Sequence, residues 1–318
     1  MVSKNIIPDV LTFNVLVDAL CKEGMVVEAK GVVEMMIQRD IEPNTVTYNS
    51  LMDGYCLKGQ IGKAQKVFDL MLSKGSVVDV VSYNTLINGY CKNKKIDEAM
   101  MLFLDMSRKG LVPDTITYNT LLDGFCKAGR IQNAQKLFYE MQACGQLPNV
   151  RTYAVLLDGM CKNRQLSTAM QLFREMEAKK LDMDIVIHST LIEGLCIAGK
   201  IESARDLFCG LSSKGLEPDV RTYTIMISGL CIITGLTSEA ENLLIQMEEK
   251  GCSPDNYTYN TIIRGFINNN ETSRAMVLIQ QMVEKGFSAD ASTTELIVHL
   301  LSKDEVDPAL LPLIKQSF

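Results

Sequence analysis

Residues 113–149 read PDTITYNTLLDGFCKAGRIQNAQKLFYEMQACGQLPN. Pro113 is followed by Asp, and Pro148, 35 residues later, is followed by Asn. Prolines of this kind recur at spacings of 35, 70, 35, 70 and 36 residues, at Pro8, Pro43, Pro113, Pro148, Pro218 and Pro254. Val78 and Met183 take the two missing positions, and each is still followed by Asp. A fixed period of this length indicates a repeat architecture.

The second unit shows what one repeat contains. Its apolar residues follow one face of an α-helix in two successive runs, Tyr48, Leu51, Met52, Tyr55 and Cys56, and then Ile61, Ala64, Val67, Phe68 and Met71. Residues 58–60 separate the runs, and Gly75 follows the second run, where a glycine commonly ends a helix. The pattern predicts two antiparallel helices in each unit.

The units are expected to stack, because an isolated hairpin of this size cannot bury the apolar faces of both helices. The second helix of every unit carries an alanine where two helices would approach closely, at Ala29, Ala64, Ala99, Ala134, Ala169, Ala204, Ala240 and Ala275. We predict an all-α fold, a right-handed α-solenoid of tandem antiparallel helix-turn-helix repeats of 35 residues.

Residues 8–288 divide into eight units, 8–42, 43–77, 78–112, 113–147, 148–182, 183–217, 218–253 and 254–288. The seventh unit is one residue longer, and the extra residue is predicted near Thr234 and Gly235. Residues 1–7 are expected to be the end of a preceding, truncated repeat. Residues 289–318 are expected to be a degenerate ninth repeat that acts as a C-terminal cap.

The composition narrows the class of protein. Apolar residues make up 47% of the chain, which is enough for a large core, and the net charge is −6. That charge excludes a uniformly positive, nucleic-acid-coating surface, although it allows a local basic stripe. The ten cysteines are predicted to be reduced thiols, because such a core needs no disulfides. No apolar run approaches the ~20 residues that span a bilayer, so no membrane partner is expected.

Groups suited to catalysis or metal binding are scarce. The only histidines are His188 and His299. The chain lacks a P-loop, a Gly-x-Ser-x-Gly elbow and the His-x-Glu and Cys-x-x-Cys signature of zinc deaminases. We therefore predict that the chain is not an enzyme and has no metal site, no cofactor and no small-molecule substrate.

The repeat reads Pro-Asp-Val-x-Thr-Tyr-Asn-x-Leu, then Gly-x-Cys-Lys-x-Gly, then Ala, Leu-Phe and Met before Gly-x-x-Pro. This motif resembles the pentatricopeptide repeat of plant organelle proteins in its pure 35-residue P class. The run of seven Cys-centred units resembles the restorer-of-fertility-like subgroup. Tetratricopeptide repeats are the nearest alternative, but they have a 34-residue period and typically a Trp, which this chain lacks.

The resemblance implies that single-stranded RNA is the partner and that each repeat reads one base through two or three side chains. In that family the readers are the residue after the first-helix aromatic and the Asp or Asn after the next inter-repeat proline. Carried over unit by unit, the pairs are Asn14 with Asn44, Asn49 with Asp79, Asn84 with Asp114, Asn119 with Asn149, Ala154 with Asp184, Ser189 with Asp219, Thr224 with Asp255 and Asn260 with Asp290.

Two further sets of residues follow from the resemblance. The side chains expected to sandwich the bases are Leu11, Val46, Val81, Ile116, Arg151, Val186, Arg221 and Tyr257. Phosphate contacts are expected from the lysine after the repeat cysteine, at Lys22, Lys92, Lys127 and Lys162. Because the later units mostly lack this lysine, we expect stronger backbone electrostatics in the N-terminal half.

The pair types imply a target sequence. In the family, Asn with Asp goes with U, Asn with Asn goes with C, and Ser or Thr with Asp goes with G. With the N-terminus at the RNA 5′ end, the expected site is 5′-C-U-U-C-N-G-G-U-3′. Ala154 has no hydrogen-bonding group and leaves the fifth base open, and the extra residue of the seventh unit weakens the second G.

Several recurring residues are better explained by packing. The cysteines spaced 35 apart are predicted to be small buried core residues, because metal ligands must converge on one ion. The methionine series and the first-helix aromatics are likewise predicted to be core. For the readers, an Asp or Asn after proline is also a good helix N-cap, whereas the Asn after the aromatic is better explained by function.

The function predicted from these observations is sequence-specific, non-catalytic binding of RNA in organelle RNA processing or stabilisation, with a recruited RNA-processing protein as an allowed second partner. Mitochondrial localisation is implied by the subgroup, with the chloroplast as the alternative. The competing hypothesis is a protein–protein scaffold that uses the same groove without RNA preference. The target transcript, the downstream effect and the oligomeric state stay open.

Overall fold

The structure, a computed structural model, describes residues 8–301, and these contain seventeen α-helices and no strand. The first sixteen form eight hairpins, α1 (Val10–Lys22) with α2 (Val26–Gln38), α3 (Thr45–Leu57) with α4 (Ile61–Ser73), α5 (Val80–Lys92) with α6 (Ile96–Arg108), α7 (Thr115–Lys127) with α8 (Ile131–Ala143), α9 (Val150–Lys162) with α10 (Leu166–Ala178), α11 (Ile185–Ile197) with α12 (Ile201–Cys209), α13 (Val220–Ser228) with α14 (Thr237–Glu249), and α15 (Asn256–Asn268) with α16 (Thr272–Glu284). The predicted all-α repeat fold is confirmed.

Helix α17 (Ala291–Leu301) covers the first part of the predicted C-terminal cap. The predicted end of a preceding repeat, residues 1–7, and the rest of the cap, residues 302–318, lie outside the described residues. No helix in the described part of the chain is both long enough and apolar enough to cross a membrane.

Two compact units make up the chain, Met1–Gly159 and Met160–Phe318. In the first unit, α1 packs against α2 and also against α3, the first helix of the next hairpin. In the second unit, α11 packs in the same way against α12 and α13. Each unit is therefore a solenoid-like stack in which the first helices form one layer and the second helices another.

The first helix of each hairpin begins two residues after the inter-repeat proline position, and the residue between them is its N-cap. Asp114, for example, has extended backbone and its side chain accepts a hydrogen bond from the backbone N–H of Thr117, three residues later. This bond satisfies one of the amide groups that a helix start leaves without an intrahelical partner. Every second helix begins without a side-chain cap, so it depends on packing for its position.

The core is built from the recurring positions that the sequence singled out. All eight repeat alanines have 0% exposure, and so do the methionines at Met36, Met71, Met106, Met141, Met176, Met247 and Met282. The first-helix aromatics are buried as well, and four of them, Tyr83, Tyr118, Tyr153 and Tyr223, pack edge-on against a phenylalanine of the preceding hairpin, as in Phe68 with Tyr83 at 5.1 Å and Phe103 with Tyr118 at 5.5 Å. The predictions of core roles for these residues are confirmed.

The cysteine series packs against a glycine of the following hairpin. A Cβ atom on Gly124 would lie 2.8 Å from Cys91 Sγ and 2.8 Å from Ile96 Cδ1, so the two first helices approach too closely for a larger residue. Six of the seven cysteines are buried and Cys91 is partly buried. Burial raises the pKa of the Cys56 and Cys126 thiols to about 12. The cysteines are core residues, and residues 8–301 contain no group of side chains that could hold a metal ion.

The extra residue of the seventh hairpin is accommodated inside its first helix. After α13 the chain makes a π-helical turn, Gly229–Ile233, and Leu236 N donates to Leu230 O at 2.8 Å, six residues back. The Thr234 hydroxyl donates to the same carbonyl at 2.8 Å. The turn leaves α14 free to pack like every other second helix, since Ala240 and Met247 remain fully buried.

Candidate functional site

The predicted reader pairs are brought together in the first and third hairpins. Asn84 Nδ2 donates to Asp114 Oδ1 at 3.1 Å, and Asn14 Nδ2 donates to Asn44 Oδ1 at 3.2 Å. The first member of each pair lies one turn into its helix, while the second caps the first helix of the next hairpin. Each pair therefore bridges the junction between two neighbouring hairpins.

A buried hydroxyl, to which the sequence pattern gave no predicted role, completes this bridge. Thr117 Oγ1 donates to Asn84 Oδ1 at 2.6 Å, and Thr47 Oγ1 donates to Asn14 Oδ1 at 2.5 Å. Both threonines have 0% exposure. The available signal was a hydroxyl residue three positions after each cap, which is the position that completes a capping box.

The second and fourth hairpins hold their reader pairs differently. No hydrogen bond joins Asn49 to Asp79 there, and the hydroxyl of Ser82 donates to Asp79 at 2.9 Å. The side-chain oxygens Asn49 Oδ1 and Asn119 Oδ1 are buried without a hydrogen-bond partner. A buried acceptor of this kind costs free energy until a donor reaches it, so these amides have unused capacity for a ligand.

The sixth and seventh hairpins carry hydroxyl readers. Ser189 Oγ lies 2.7 Å from Thr222 Oγ1, which also lies 2.6 Å from Asp219 Oδ1, so the Thr222 proton is within reach of both oxygens. Thr224 Oγ1 lies 2.8 Å from Thr258 Oγ1 in the same arrangement. Ser189 has 1% exposure. The threonine hydroxyl thus connects reader and cap in these hairpins as well, although the reader itself faces inward.

The fifth and eighth pairs depart from this pattern. Ala154 carries no polar group, and Asp184 caps α11 through the backbone N–H of Ile187, so a hydroxyl is missing from the capping position. In the eighth hairpin, Asn260 Oδ1 accepts from the backbone N–H of Asp290 at 2.9 Å. The carboxylate of Asp290 therefore does not bind the Asn260 amide as Asp114 binds Asn84.

Five of the aspartate caps keep one carboxylate oxygen available. In Asp114, the hydrogen bonds from Thr117 and Asn84 all reach Oδ1, and no described side chain donates to Oδ2. Burial pushes the pKa of Asp114 upward, but these hydrogen bonds outweigh it and leave the pKa below its ordinary value. The carboxylate is therefore ionised at neutral pH and presents an acceptor at the groove. In the caps Asp79, Asp184, Asp219 and Asp255 as well, every described donor reaches Oδ1, including the backbone N–H three residues later.

The predicted sandwiching residues are all exposed. Leu11 is 69% exposed and Tyr257 65%, although both are apolar or aromatic. The set occupies the second position of each first helix, where its side chains point away from the hairpin core. Exposed aliphatic side chains in a regular row are available for stacking against a flat ligand.

Readers and sandwiching residues line the same cavities, and predicted lysines join them in the first unit. A cavity of about 830 Å³ in the first unit is bordered by Asn84, Asn119 and Asn149 together with Ile116, Arg151, Lys92 and Lys127. A cavity of about 640 Å³ in the second unit is bordered by Thr224, Asp219 and Asp255 together with Arg221 and Tyr257. All three predicted sets of residues therefore converge on the cavity of the first unit, whereas the cavity of the second unit brings together readers and sandwiching residues.

Acidic side chains balance the lysines of this surface. Lys22 pairs with Asp18 at 2.7 Å and Lys127 pairs with Asp123 at 2.7 Å, each within one helix. All four predicted lysines lie at the C-terminal end of a first helix, where the helix dipole favours a cation. The exposed pairs are worth little in stability, so the lysines can exchange the carboxylate for another anion.

The chain matches the model of one protein family. The model of the PPR repeat family matches residues 8–57, 43–80, 78–127, 113–162, 153–196, 183–232, 233–268 and 257–303. These matches cover most of the chain in overlapping steps. No curated protein sequence matches the chain.

The chain shares its fold with PPR10. PPR10 in complex with an 18-nt psaJ RNA element is 23% identical with a TM-score of 0.61, and the match covers 99% of this chain and 51% of PPR10. The chain thus spans about half the length of that protein. The PPR domain of Arabidopsis thaliana protein-only RNase P 1 in complex with tRNA is 20% identical, with a TM-score of 0.46 and coverages of 57% and 95%. Yeast Rmd9p in complex with a 16-nt target RNA is 13% identical, with a TM-score of 0.44 and coverages of 96% and 66%.

Proposed function

The chain belongs to the pentatricopeptide repeat (PPR) family, and on that premise we propose that it binds single-stranded RNA in a sequence-dependent way without catalysing a reaction. The observation that carries the proposal is the convergence of readers and exposed sandwiching residues on one cavity in each unit, with Lys92 and Lys127 as the cations in the first unit and Arg221 in the second. A base needs hydrogen-bond partners at its edge, flat or apolar contact on its faces and a cation near its phosphate. Both cavities offer all three kinds of contact, although the cation of the second cavity is an arginine.

The proposed target is 5′-C-U-U-C-N-G-G-U-3′, with the N-terminal hairpin at the 5′ end. The reader pairs support the pyrimidine positions chemically, because an Asn amide can donate and accept at a pyrimidine edge. In the third hairpin, Asn84 Oδ1 is occupied by Thr117, whereas Nδ2 uses only one of its two protons on Asp114. A donor on Nδ2 and an acceptor on Asp114 Oδ2 are left for the base.

The hydroxyl pairs of the sixth and seventh hairpins support a different preference. Ser189 and Thr224 return their hydroxyls to the helix backbone at Ile185 O and Val220 O, both at 2.7 Å. The aspartate of each pair then supplies the polar contact at the groove. A carboxylate acceptor suits the N–H groups of guanine, which is the base proposed for both positions.

The proposed biological role is steric. An RNA segment held along the groove is withheld from exonucleases and from pairing with other RNA, and a recruited processing protein is the second partner that we propose. We place this role in organelle RNA processing or stabilisation, in mitochondria as in the restorer-of-fertility-like proteins of plants, with the chloroplast as the alternative. Support for this placement is the resemblance of the repeats to that subgroup.

Direct binding of the octamer tests the proposal. We expect the chain to bind it more tightly than an octamer in which the five specified pyrimidines and two guanines are exchanged for the other base class. Equal or absent binding of both RNAs at moderate salt would favour the scaffold alternative, in which the exposed aliphatic row contacts a peptide.

A single substitution tests the reading itself. Asn84→Thr gives the third hairpin the pair type of the seventh, so the preferred third nucleotide should move from U towards G by about tenfold in relative affinity. Competition among the four third-position variants measures the shift, and the ranking at the second nucleotide is the internal control. An unchanged ranking would show that the pair does not set the base.

A further inference from the structure

One position beside the base readers breaks its pattern in the last hairpin. Four residues after each reader, and so one turn further along the same helix face, the side chains are Asp18, Asp53, Asn88, Asp123, Asp158, Glu193, Ser228 and Arg264. Seven are acidic or neutral and only the eighth is basic. An acidic or neutral side chain leaves the neighbouring cap carboxylate alone, whereas an arginine can bind it.

Arg264 does bind the cap of its own pair. Its Nη1 lies 2.6 Å from Asp290 Oδ2 and donates to Thr293 Oγ1 at 3.2 Å. The other carboxylate oxygen, Asp290 Oδ1, accepts from the backbone N–H of Thr293 at 2.8 Å. Both oxygens of Asp290 are therefore occupied within the protein, whereas Asp114 keeps Oδ2 free of side-chain donors.

The ion pair is partly shielded from solvent. The Arg264 side chain is 18% exposed, and its guanidinium also reaches Thr261 Oγ1 at 3.4 Å. Burial pushes the pKa of Asp290 upward, yet hydrogen bonds from Thr293 and the Arg264 guanidinium hold it below its ordinary value. A ligand would have to displace a charge-assisted hydrogen bond to reach this carboxylate, and such bonds are among the stronger ones in proteins.

The other member of the pair is occupied too. Asn260 has 1% exposure, and its Nδ2 donates to Asn256 O at 2.8 Å and to Ser288 O at 3.1 Å. Its Oδ1 accepts from the backbone N–H of Asp290. Every strong hydrogen-bonding atom of the eighth pair is thus used inside the protein, although its residue types are those of the third pair.

We propose that Arg264 removes base selection from the eighth hairpin, so that the nucleotide there is bound without discrimination between U and C. The inference rests on the proposed function, because it concerns the pair through which a base would be read. It changes the expected target to six specified positions and the open fifth one, followed by an eighth position at which U and C bind equally well. The U expected from residue types at the eighth position is replaced by either pyrimidine.

A reciprocal exchange between the third and eighth hairpins tests the proposal. The two hairpins carry the same reader types, and Asn88 and Arg264 each lie 26 residues before the cap of their pair. Arg264→Asn should release Asp290 Oδ2 and raise the U-over-C affinity ratio at the eighth nucleotide from below about twofold to about tenfold. Asn88→Arg should lower the same ratio at the third nucleotide by a comparable factor. Asn88→Ser, the residue type of the seventh hairpin, is the matched control and should leave the ratio unchanged.

The affinities are measured by competition with octamers that differ only at the third or eighth nucleotide, after melting curves confirm that each variant is folded. The proposal is overturned if the unmodified chain prefers U at the eighth nucleotide as strongly as at the third. It is also overturned if Asn88→Arg changes the affinity for U and C equally, since the arginine would then act on the RNA phosphate. Absence of any base preference at any position would instead refute the proposed function itself.

Discussion

Removal of one buried hydroxyl should weaken both the stacking of two hairpins and the reading of one base. Thr117→Val keeps the shape of the side chain but leaves Asn84 Oδ1 without its donor at 2.6 Å and the backbone N–H of Asp114 without its acceptor at 3.2 Å. The backbone cap between Thr117 N and Asp114 is retained, because it does not involve the hydroxyl.

The expected magnitude follows from the groups left unpaired. A buried polar group that loses its partner costs about 1–3 kcal/mol, and Asn84 is partly exposed, so we expect a loss of roughly 1–2 kcal/mol. For a cooperative unit of this size, each kcal/mol lowers the melting temperature by about 2–4 °C. At the third nucleotide we expect the preference for U to fall by about threefold, because Asp114 still holds the Asn84 amide from one side.

Two matched variants separate these effects. Thr117→Ser retains the hydroxyl and should keep the base preference, while Thr120→Val removes a hydroxyl of the same helix that only returns to Ile116 O at 2.8 Å. Melting curves measure stability, and competition among third-position RNAs measures base preference. A Thr117→Val chain that is less stable but ranks the four bases as before would show that the hydroxyl supports the fold alone. That result would refute a role of the Thr117 hydroxyl in base recognition.

Two other substitutions address packing and charge. Gly124→Ala should lower the free energy of unfolding by about 1–3 kcal/mol, because its Cβ would lie 2.8 Å from Cys91 Sγ. Thermal melting of a Gly124→Ala, Cys91→Ala double variant tests the cause, since partial recovery of stability would identify that contact. No recovery would indicate a clash with the backbone instead. Replacing Lys92 and Lys127 with Ala should weaken all octamers alike and reduce the slope of log affinity against log salt by about one for each lysine. Retention of the full slope would place the phosphate contacts elsewhere.

The helical framework could be predicted from the sequence because its signals are local or strictly periodic. A proline, an Asp and an apolar run at helical spacing determine where a first helix begins and which face it buries. The buried alanines and methionines follow from the same period, since a position that repeats every 35 residues meets the same neighbour in every hairpin. The π-helical turn after α13 was detectable as an insertion, but its placement inside a helix depends on how Leu236 pairs with Leu230.

The hydrogen bonding of the readers could not be predicted in this way. Whether Thr117 donates to Asn84 or Ser82 donates to Asp79 depends on side-chain rotamers at a junction between hairpins, and the same motif occurs at both places. Arg264 was visible as a reversal of charge within its column of residues. Its effect on Asp290 becomes apparent only when residues 26 positions apart are seen in contact.

The position of the readers constrains how this surface can change. A reader such as Asn84 belongs to one hairpin while its cap and hydroxyl partners, Asp114 and Thr117, belong to the next, so the residues proposed to read a base also join two hairpins. Exchange of a reader therefore alters stacking as well as recognition, unless the hydroxyl can bond to the new side chain. A threonine can do so with either partner, because it donates to an amide oxygen in the third hairpin and meets a hydroxyl in the sixth. We infer that this recurring hydroxyl lets the neighbouring position vary between amide and hydroxyl readers without loss of the stack. Ile187 takes its place in the hairpin that follows Ala154, a reader that has nothing to bond.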